Sequence, residues 1–175
     1  MNDEPWKWPT FDEDHAALAY IIKTYDIKTI FEFGTWEGIS TQHMAEQPGV
    51  EKVTTLDIHE GLDVEYKHNA HQKTTKDHYG KFITSDKVTQ IFCDSLKYEP
   101  TEEYDMVFVD ANHDYEHIKN DTELALKMNP KVIVWHDYHS PGNPDVTAYI
   151  NEQRALGKRI FLHPFSIVAY MEVEK

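Results

Sequence analysis

The sequence predicts an α/β fold: a doubly wound sheet of about seven strands, mostly parallel, closed by an antiparallel hairpin at its C-terminal edge. Three observations predict it. Five short apolar runs, "KTIFEFG", "KVTTLDI", "TQIFCDS", "YDMVFVD" and "KVIVWHD", alternate with polar or amphipathic stretches. Most of these runs are apolar throughout and do not alternate, as in parallel strands covered by helices on both faces. A final stretch, "RIFLHPFSIVAYMEV", breaks around His163-Pro164 and reads as two closing strands.

The elements follow in order. "TFDE" has capping-box spacing, with Thr10 as N-cap and Glu13 behind it. Phe11, His15, Leu18, Ala19 and Ile22 then share a helical face, and this helix should end near Tyr25. The first strand, 28 to 34, ends at a glycine, and "ISTQHMAEQ" starts the next helix. Strands follow at 52 to 58, 89 to 95, 104 to 110 and 131 to 137. Residues 59 to 81 are polar and His/Lys-rich, which suggests a loop with a partial helix acting as a solvated lid. Helices are expected over 115 to 128, with Tyr115, Ile118, Thr122 and Ala125 on one face, and over about 145 to 155.

The composition narrows the function classes. A chain of 175 residues suits one domain, residues 1–175, with a sizeable core. Its 40% apolar and 13% aromatic content excludes a disordered chain. Seventeen basic residues against 31 acidic ones give a net charge of −14. That balance argues against nucleic-acid partners and against an anionic membrane surface, since both rely on Lys and Arg. It suits metal ions or a cationic ligand. Cys93 is the only cysteine, so no intrachain disulfide forms. The N-terminus "MNDEPWKWPTFDED" lacks the basic start and apolar run of a signal peptide, and no apolar run approaches the roughly 18 residues of a membrane span. A cytoplasmic protein is expected, and a homo-oligomer is left open.

In an open parallel sheet, ligands bind beyond the carboxyl ends of the strands. Here those ends carry Glu32 to Gly34, Asp57, Asp94, Asp110 and His136-Asp137. Gly34 permits a tight turn and close backbone approach, and Gly38 lets the next helix pack. Thr35 and Ser40 lie in the same turn and helix start, whose N–H groups are free to bind a carboxylate or phosphate. There is no G-K-[ST], and Trp36 stands where a dinucleotide fingerprint needs a close approach, so phosphate is disfavoured. Glu32 suits an ammonium group. Asp57, about 20 residues after the turn, suits a ribose hydroxyl pair. Asp94 and Ser95 suit an adenine amino group. An amino acid joined to adenosine, S-adenosylmethionine, satisfies all of these.

The ordered set "IFEFGTWEGIST", "TLDI", "IFCDS", "YDMVFVDANHDYEHIKND" and "VIVWHDY" resembles the class I S-adenosylmethionine-dependent methyltransferases over roughly residues 28 to 140. It is most similar to the small metal-dependent O-methyltransferase branch, with its macrolide-sugar, catechol-type and cephalosporin hydroxylase-like members. The resemblance implies a Rossmann-like sheet of seven strands with a reversed last strand. It implies Mg²⁺ held at the ends of the fourth and fifth strands, and a histidine base in Asp-x-x-His. Trp36 in the turn and Ala111 after Asp110 depart from the family pattern.

On this reading Asp110 and Asp137 are metal ligands at the ends of adjacent strands, about 4.8 Å apart. Asp110 also faces the cofactor. His136 stands where relatives carry an acidic ligand. It would favour Mn²⁺, Fe²⁺ or Zn²⁺ over Mg²⁺, or point away. His113 is the base for a small hydroxylated acceptor. Plainer readings stand beside these: turn glycines at 34 and 38, helix caps at Asp57, Asp94 and Asp110, and surface histidines. Two rival functions also stand. One is a non-haem metal oxidoreductase using Asp110 with two of His113, His136 and His139. The other is a degenerate fold kept as a binding module.

Overall fold

A computed structural model describes residues 11–58 and 76–174. The expected cap at Thr10, and His59, His68 and His71 of the His/Lys-rich stretch, lie outside the described residues. The elements run α1 (Phe11–Thr24), β1 (Thr29–Phe33), α2 (Ile39–Glu46), β2 (Lys52–Asp57), a 3-10 turn (Lys76–His78), β3 (Val88–Phe92) and a second 3-10 turn (Ser95–Lys97). Then come β4 (Met106–Val109), α3 (Tyr115–Lys127), β5 (Val132–Trp135), α4 (Pro144–Ala155), β6 (Ile160–Leu162) and β7 (Ala169–Glu172).

These strands form one seven-stranded sheet in the order β3-β2-β1-β4-β5-β7-β6. The first five pair in parallel, and β7 runs antiparallel to both β5 and β6. The predicted Rossmann-like class and the reversed closing hairpin are therefore observed. The order of strands reverses between β1 and β4, which is where such sheets open a crevice for ligands.

Alternation along the strands sends side chains to two cores. Phe31, Phe33, Val107, Val109, Ile133 and Trp135 face α3 and α4, meeting Ile118, Leu124, Tyr149 and Ile150. Ile30, Val53, Met106, Phe108, Val132 and Val134 face α1 and α2, meeting Leu18, Ile21, Ile22 and Met44. β4 and β5 are buried at every position, as their unbroken apolar runs require. The Trp135 indole N–H donates to Thr122 Oγ1 at 2.9 Å, so the largest core side chain keeps its polar atom satisfied.

Two sequence expectations shift. The buried stripe of α1 is Asp14, Ala17, Leu18, Ile21 and Ile22, while Ala19 is only partly buried. Asp14 joins the stripe because its carboxylate is met by His136 and the Ile167 amide, described below. β3 ends at Phe92, so Asp94 lies beyond the strand and caps the turn after it. No helix among the described residues is long and apolar enough to cross a membrane.

Candidate active site

A cavity of about 930 Å³ opens over the carboxyl edge of β1, β2, β4 and β5. Its walls bring together Gly34, Thr35, Gly38, Ser40, Asp57, Asp94, Ser95, Asp110, His113, His136 and Asp137. Of the residues singled out from the sequence, Glu32 is not in this wall. It lies beneath, 1% exposed, accepting a 2.5 Å hydrogen bond from Thr41 Oγ1. Burial pushes its carboxyl up to about 8, against the hydrogen bonds from Thr41 and Thr55. Thr55 in turn shares a 2.7 Å bond with Thr35, so a buried chain of hydroxyls ties β1, β2 and α2 to the glycine turn.

The turn is shaped by close packing. Gly34 (φ +96°) lies so near β4 that a Cβ would meet the Asp110 carbonyl oxygen at 2.0 Å. Gly38 (φ +84°) caps α2, and a Cβ there would meet Ile83 Cγ1 at 2.5 Å and Gly80 Cα at 2.9 Å. Both glycines thus serve close approach, but to neighbouring backbone and side chains of the protein itself. Asp57 completes the turn. Its Oδ2 accepts from the Thr35 and Trp36 amides at 2.8 and 2.7 Å, and its Oδ1 from Ile58 at 2.7 Å. Burial raises its carboxyl, and the three amide donors offset only part of that.

Trp36 stands at φ +45° and is half exposed, with its ring edge-on to His78 (4.9 Å) and Tyr79 (6.2 Å). Backbone bonds from Gly80 to Trp36 (2.7 Å) and from Phe82 to Glu37 (3.0 Å) fasten this segment to the turn. Tyr79 is buried, so residues 78–80 pack against the turn, while residues 59–75 of the expected lid lie outside the described residues. At the opposite wall Asp94 caps Leu96 through Oδ1 at 3.0 Å. Ser95 is buried and hydrogen-bonds Asp121, while Asn120 donates to its carbonyl.

The second half of the cavity holds the charged cluster. Asp110 and Asp137 follow adjacent strands, and two imidazoles lie between them. His113 Nε2 is 2.7 Å from Asp137 Oδ2 and 3.6 Å from Asp110 Oδ1. His136 Nδ1 is 3.4 Å from Asp110 Oδ1 and 3.6 Å from Asp137 Oδ2. Burial would push His113 down, but Asp110 and Asp137 hold it up to about 9. His136 rises well above its usual range in the same way, against burial, chiefly through Asp110. Burial would raise both carboxyls, and the imidazoles outweigh it, keeping both below the usual range. Asp137 sits at φ +62°. Aspartate tolerates this left-handed conformation better than most residues, and such strain collects at functional sites.

With this geometry in place, comparison with known proteins decides the family. The family model described as "Methyltransferase domain" matches residues 31–138, well over half of the chain. The chain belongs to this methyltransferase family. Among curated proteins none matches the sequence significantly. Solved structures resemble the methyltransferase at the level of fold. An O-methyltransferase from Bacillus cereus in complex with SAH is 20% identical, with TM-score 0.62, covering 94% of this chain and 82% of that one. TomG from Streptomyces achromogenes, an O-methyltransferase involved in tomaymycin synthesis and bound to SAM, is 17% identical, with TM-score 0.59, covering 92% and 80%. SAH-bound PaMTH1 from Podospora anserina is 16% identical, with TM-score 0.64, covering 93% and 78%. Family and fold together make the chain a class I S-adenosylmethionine-dependent methyltransferase.

The resemblance read from the sequence implies a divalent cation, and the residues present could hold one. Asp110, His113 and Asp137 each offer a ligand atom, and these atoms lie within 4.8 Å of one another. His113 Nε2 is buried and makes no well-aligned hydrogen bond despite its closeness to Asp137. The two carboxylates suit Mg²⁺ or Mn²⁺, and a nitrogen donor added to them favours Mn²⁺, Fe²⁺ or Zn²⁺. His136 is held on its far side: Nε2 lies 3.1 Å from Asp14 Oδ2. His139, beyond β5, is not in this group.

Sequence reasoning missed Asp14, Thr41 and Thr55. The threonines gave a faint signal as polar residues at otherwise apolar positions. Asp14 gave a clearer one: it occupies the first place of the i, i+3, i+4, i+7 stripe completed by Ala17, Leu18 and Ile21. A carboxylate on a buried stripe requires a partner.

Proposed function

We propose that this methyltransferase transfers a methyl group from S-adenosylmethionine to the hydroxyl of a small acceptor, with a divalent cation at Asp110 and Asp137. The observation that carries the reading is that the glycine turn and the Asp110–His113–Asp137 cluster line the same cavity. Its volume is of the size that binds small molecules and leaves space for cofactor and acceptor together.

In this reading the first turn of α2, with Ser40, receives the cofactor's carboxylate at amides that have no helical partner. Asp57 holds the turn and presents its outer face to the ribose. Asp94 and the neighbouring Ser95 backbone border the adenine. The sulfonium then lies over Asp110, next to the acidic cluster, which suits its charge.

A cation held by Asp110 and Asp137, with Mg²⁺ or Mn²⁺ as the natural occupants, supplies positive charge that makes the acceptor hydroxyl easier to ionise. The acceptor oxygen forms its bond to the methyl carbon as the carbon–sulfur bond breaks, leaving S-adenosylhomocysteine. His113 takes the hydroxyl proton on Nε2. In the cation-free protein the carboxylates keep His113 protonated, so it accepts a proton only once their charge is balanced. The 2.7 Å approach of Nε2 to Asp137 favours a second reading, with His113 as a ligand. His113→Ala separates the two. Lost turnover with intact Mn²⁺ affinity marks a base, and loss of both marks a ligand.

The test is incubation with S-adenosylmethionine and a panel of catechols, sugars and polyketide alcohols, with Mg²⁺ or with EDTA. Methyl ethers formed only with the cation support the reading. Iron-dependent oxidation of the panel would favour an oxidoreductase, and absence of cofactor binding a binding module.

A further inference from the structure

We infer that Asp14, on α1 and outside the matched family region, is a positioning residue for the cation site, acting through His136. The inference rests on the metal-assisted reading above. Asp14 is 7% exposed, so its carboxylate is withdrawn from solvent and depends on specific partners. Oδ1 accepts from the Ile167 amide at 3.2 Å, and Oδ2 lies 3.1 Å from His136 Nε2. The first bond fixes the carboxylate against the loop before β7, and the second fixes the imidazole. Phe108 meets the ring edge-on, at 6.2 Å between centroids, and limits its rotation. With Nε2 taken by Asp14, the nitrogen turned toward the site is Nδ1, 3.4 Å from Asp110 and 3.6 Å from Asp137.

A histidine at a metal site characteristically donates its second nitrogen to a carboxylate, which sets its tautomer and direction. Asp14 stands in that relation to His136. The arrangement brings a carboxylate from α1 to the histidine that follows β5, 122 positions away in sequence. A purely structural role, the tethering of α1 to β5 and β7, would affect folding but would not distinguish the cation from the cofactor.

The experiment titrates Mn²⁺ and, separately, S-adenosylhomocysteine into the wild type, Asp14→Asn, Asp14→Glu, His136→Ala and the Asp14→Asn/His136→Ala double variant. Asparagine keeps the size and the acceptor for Ile167, so the fold should survive; Asp14→Ser serves if it does not. The inference expects Mn²⁺ affinity to fall 10- to 100-fold in Asp14→Asn, the usual cost of losing an outer-shell partner. It expects partial recovery in Asp14→Glu, an S-adenosylhomocysteine affinity within about twofold of wild type, and no further Mn²⁺ loss when Asp14→Asn is added to His136→Ala. Wild-type Mn²⁺ binding with an unchanged Asp14→Asn affinity, or with additive losses in the double variant, overturns the inference alone. Failure of the wild type to bind Mn²⁺ overturns the metal-assisted reading and this inference together.

Discussion

Gly34 and Asp110 touch backbone to backbone: a Cβ on Gly34 would lie 2.0 Å from the Asp110 carbonyl oxygen and 2.6 Å from its carbonyl carbon. The glycine turn after β1 and the turn that carries Asp110 after β4 are therefore one packed unit. Gly34→Ala cannot be absorbed by a rotamer change, and its φ of +96° adds strain. It should destabilise the protein by about 3 kcal/mol or more. It should also weaken both S-adenosylhomocysteine and Mn²⁺ binding. Thermal unfolding and paired titrations check this.

Asp57 holds the same turn from the other side. Asp57→Ala strips the acceptors from the Thr35, Trp36 and Ile58 amides. Buried donors left unpaired cost about 1–3 kcal/mol each. Because water reaches the cavity and can replace part of the loss, the expected destabilisation is about 3 kcal/mol. Cofactor affinity should drop at least tenfold, read by chemical denaturation and calorimetry.

Glu32 makes stability depend on pH in an unusual direction. Burial pushes its carboxyl up to about 8, so between the ordinary carboxylate range and about 8 the folded protein holds a proton that the unfolded chain has lost. This group's contribution is greatest at low pH, falls as pH rises through that window, and levels off above about 8. One pH unit of such linkage is worth about 1.4 kcal/mol, so the swing is on the order of a few kcal/mol. Glu32→Gln, which stays neutral, should gain stability relative to wild type on going from pH 5.5 to pH 8.5 (roughly the ends of that window). A difference between the two proteins that stays constant across this range would refute the assignment.

Asp137→Asn should remove a cation ligand without breaking the turn, because asparagine also tolerates the φ of +62°. Mn²⁺ affinity is expected to fall at least tenfold, with S-adenosylhomocysteine affinity nearly unchanged. EDTA treatment of the wild type should reproduce the same split. Paired calorimetric titrations measure both.

The parts of this architecture visible in the sequence are those set by local pattern. Unbroken apolar runs gave β4 and β5, and strand-end acids gave Asp110 and Asp137 at one edge. The Pro-broken final stretch gave the reversed hairpin. What stayed hidden depends on contacts between distant segments. Asp14 could not be joined to His136 without knowing that α1 packs beside the end of β5. The Thr35–Thr55–Glu32–Thr41 chain needed strand register, which pairs Glu32 with Thr55 across β1 and β2. For the same reason Glu32, placed by the sequence near an ammonium group, was found under the cavity floor. The 76–81 segment looked solvated because its polar residues dominate, yet Tyr79 packs against Trp36 and Phe92 and the Gly80 amide donates to the Trp36 carbonyl.

The central claim is that the glycine turn and the acidic cluster form one cofactor and cation site. Calorimetric titration of S-adenosylhomocysteine into the wild-type protein, with saturating Mg²⁺ and after EDTA treatment, tests it most directly. One cofactor per chain should bind in both conditions, with a separate cation-binding event that Asp110→Asn abolishes. Absence of S-adenosylhomocysteine binding in both conditions would contradict it.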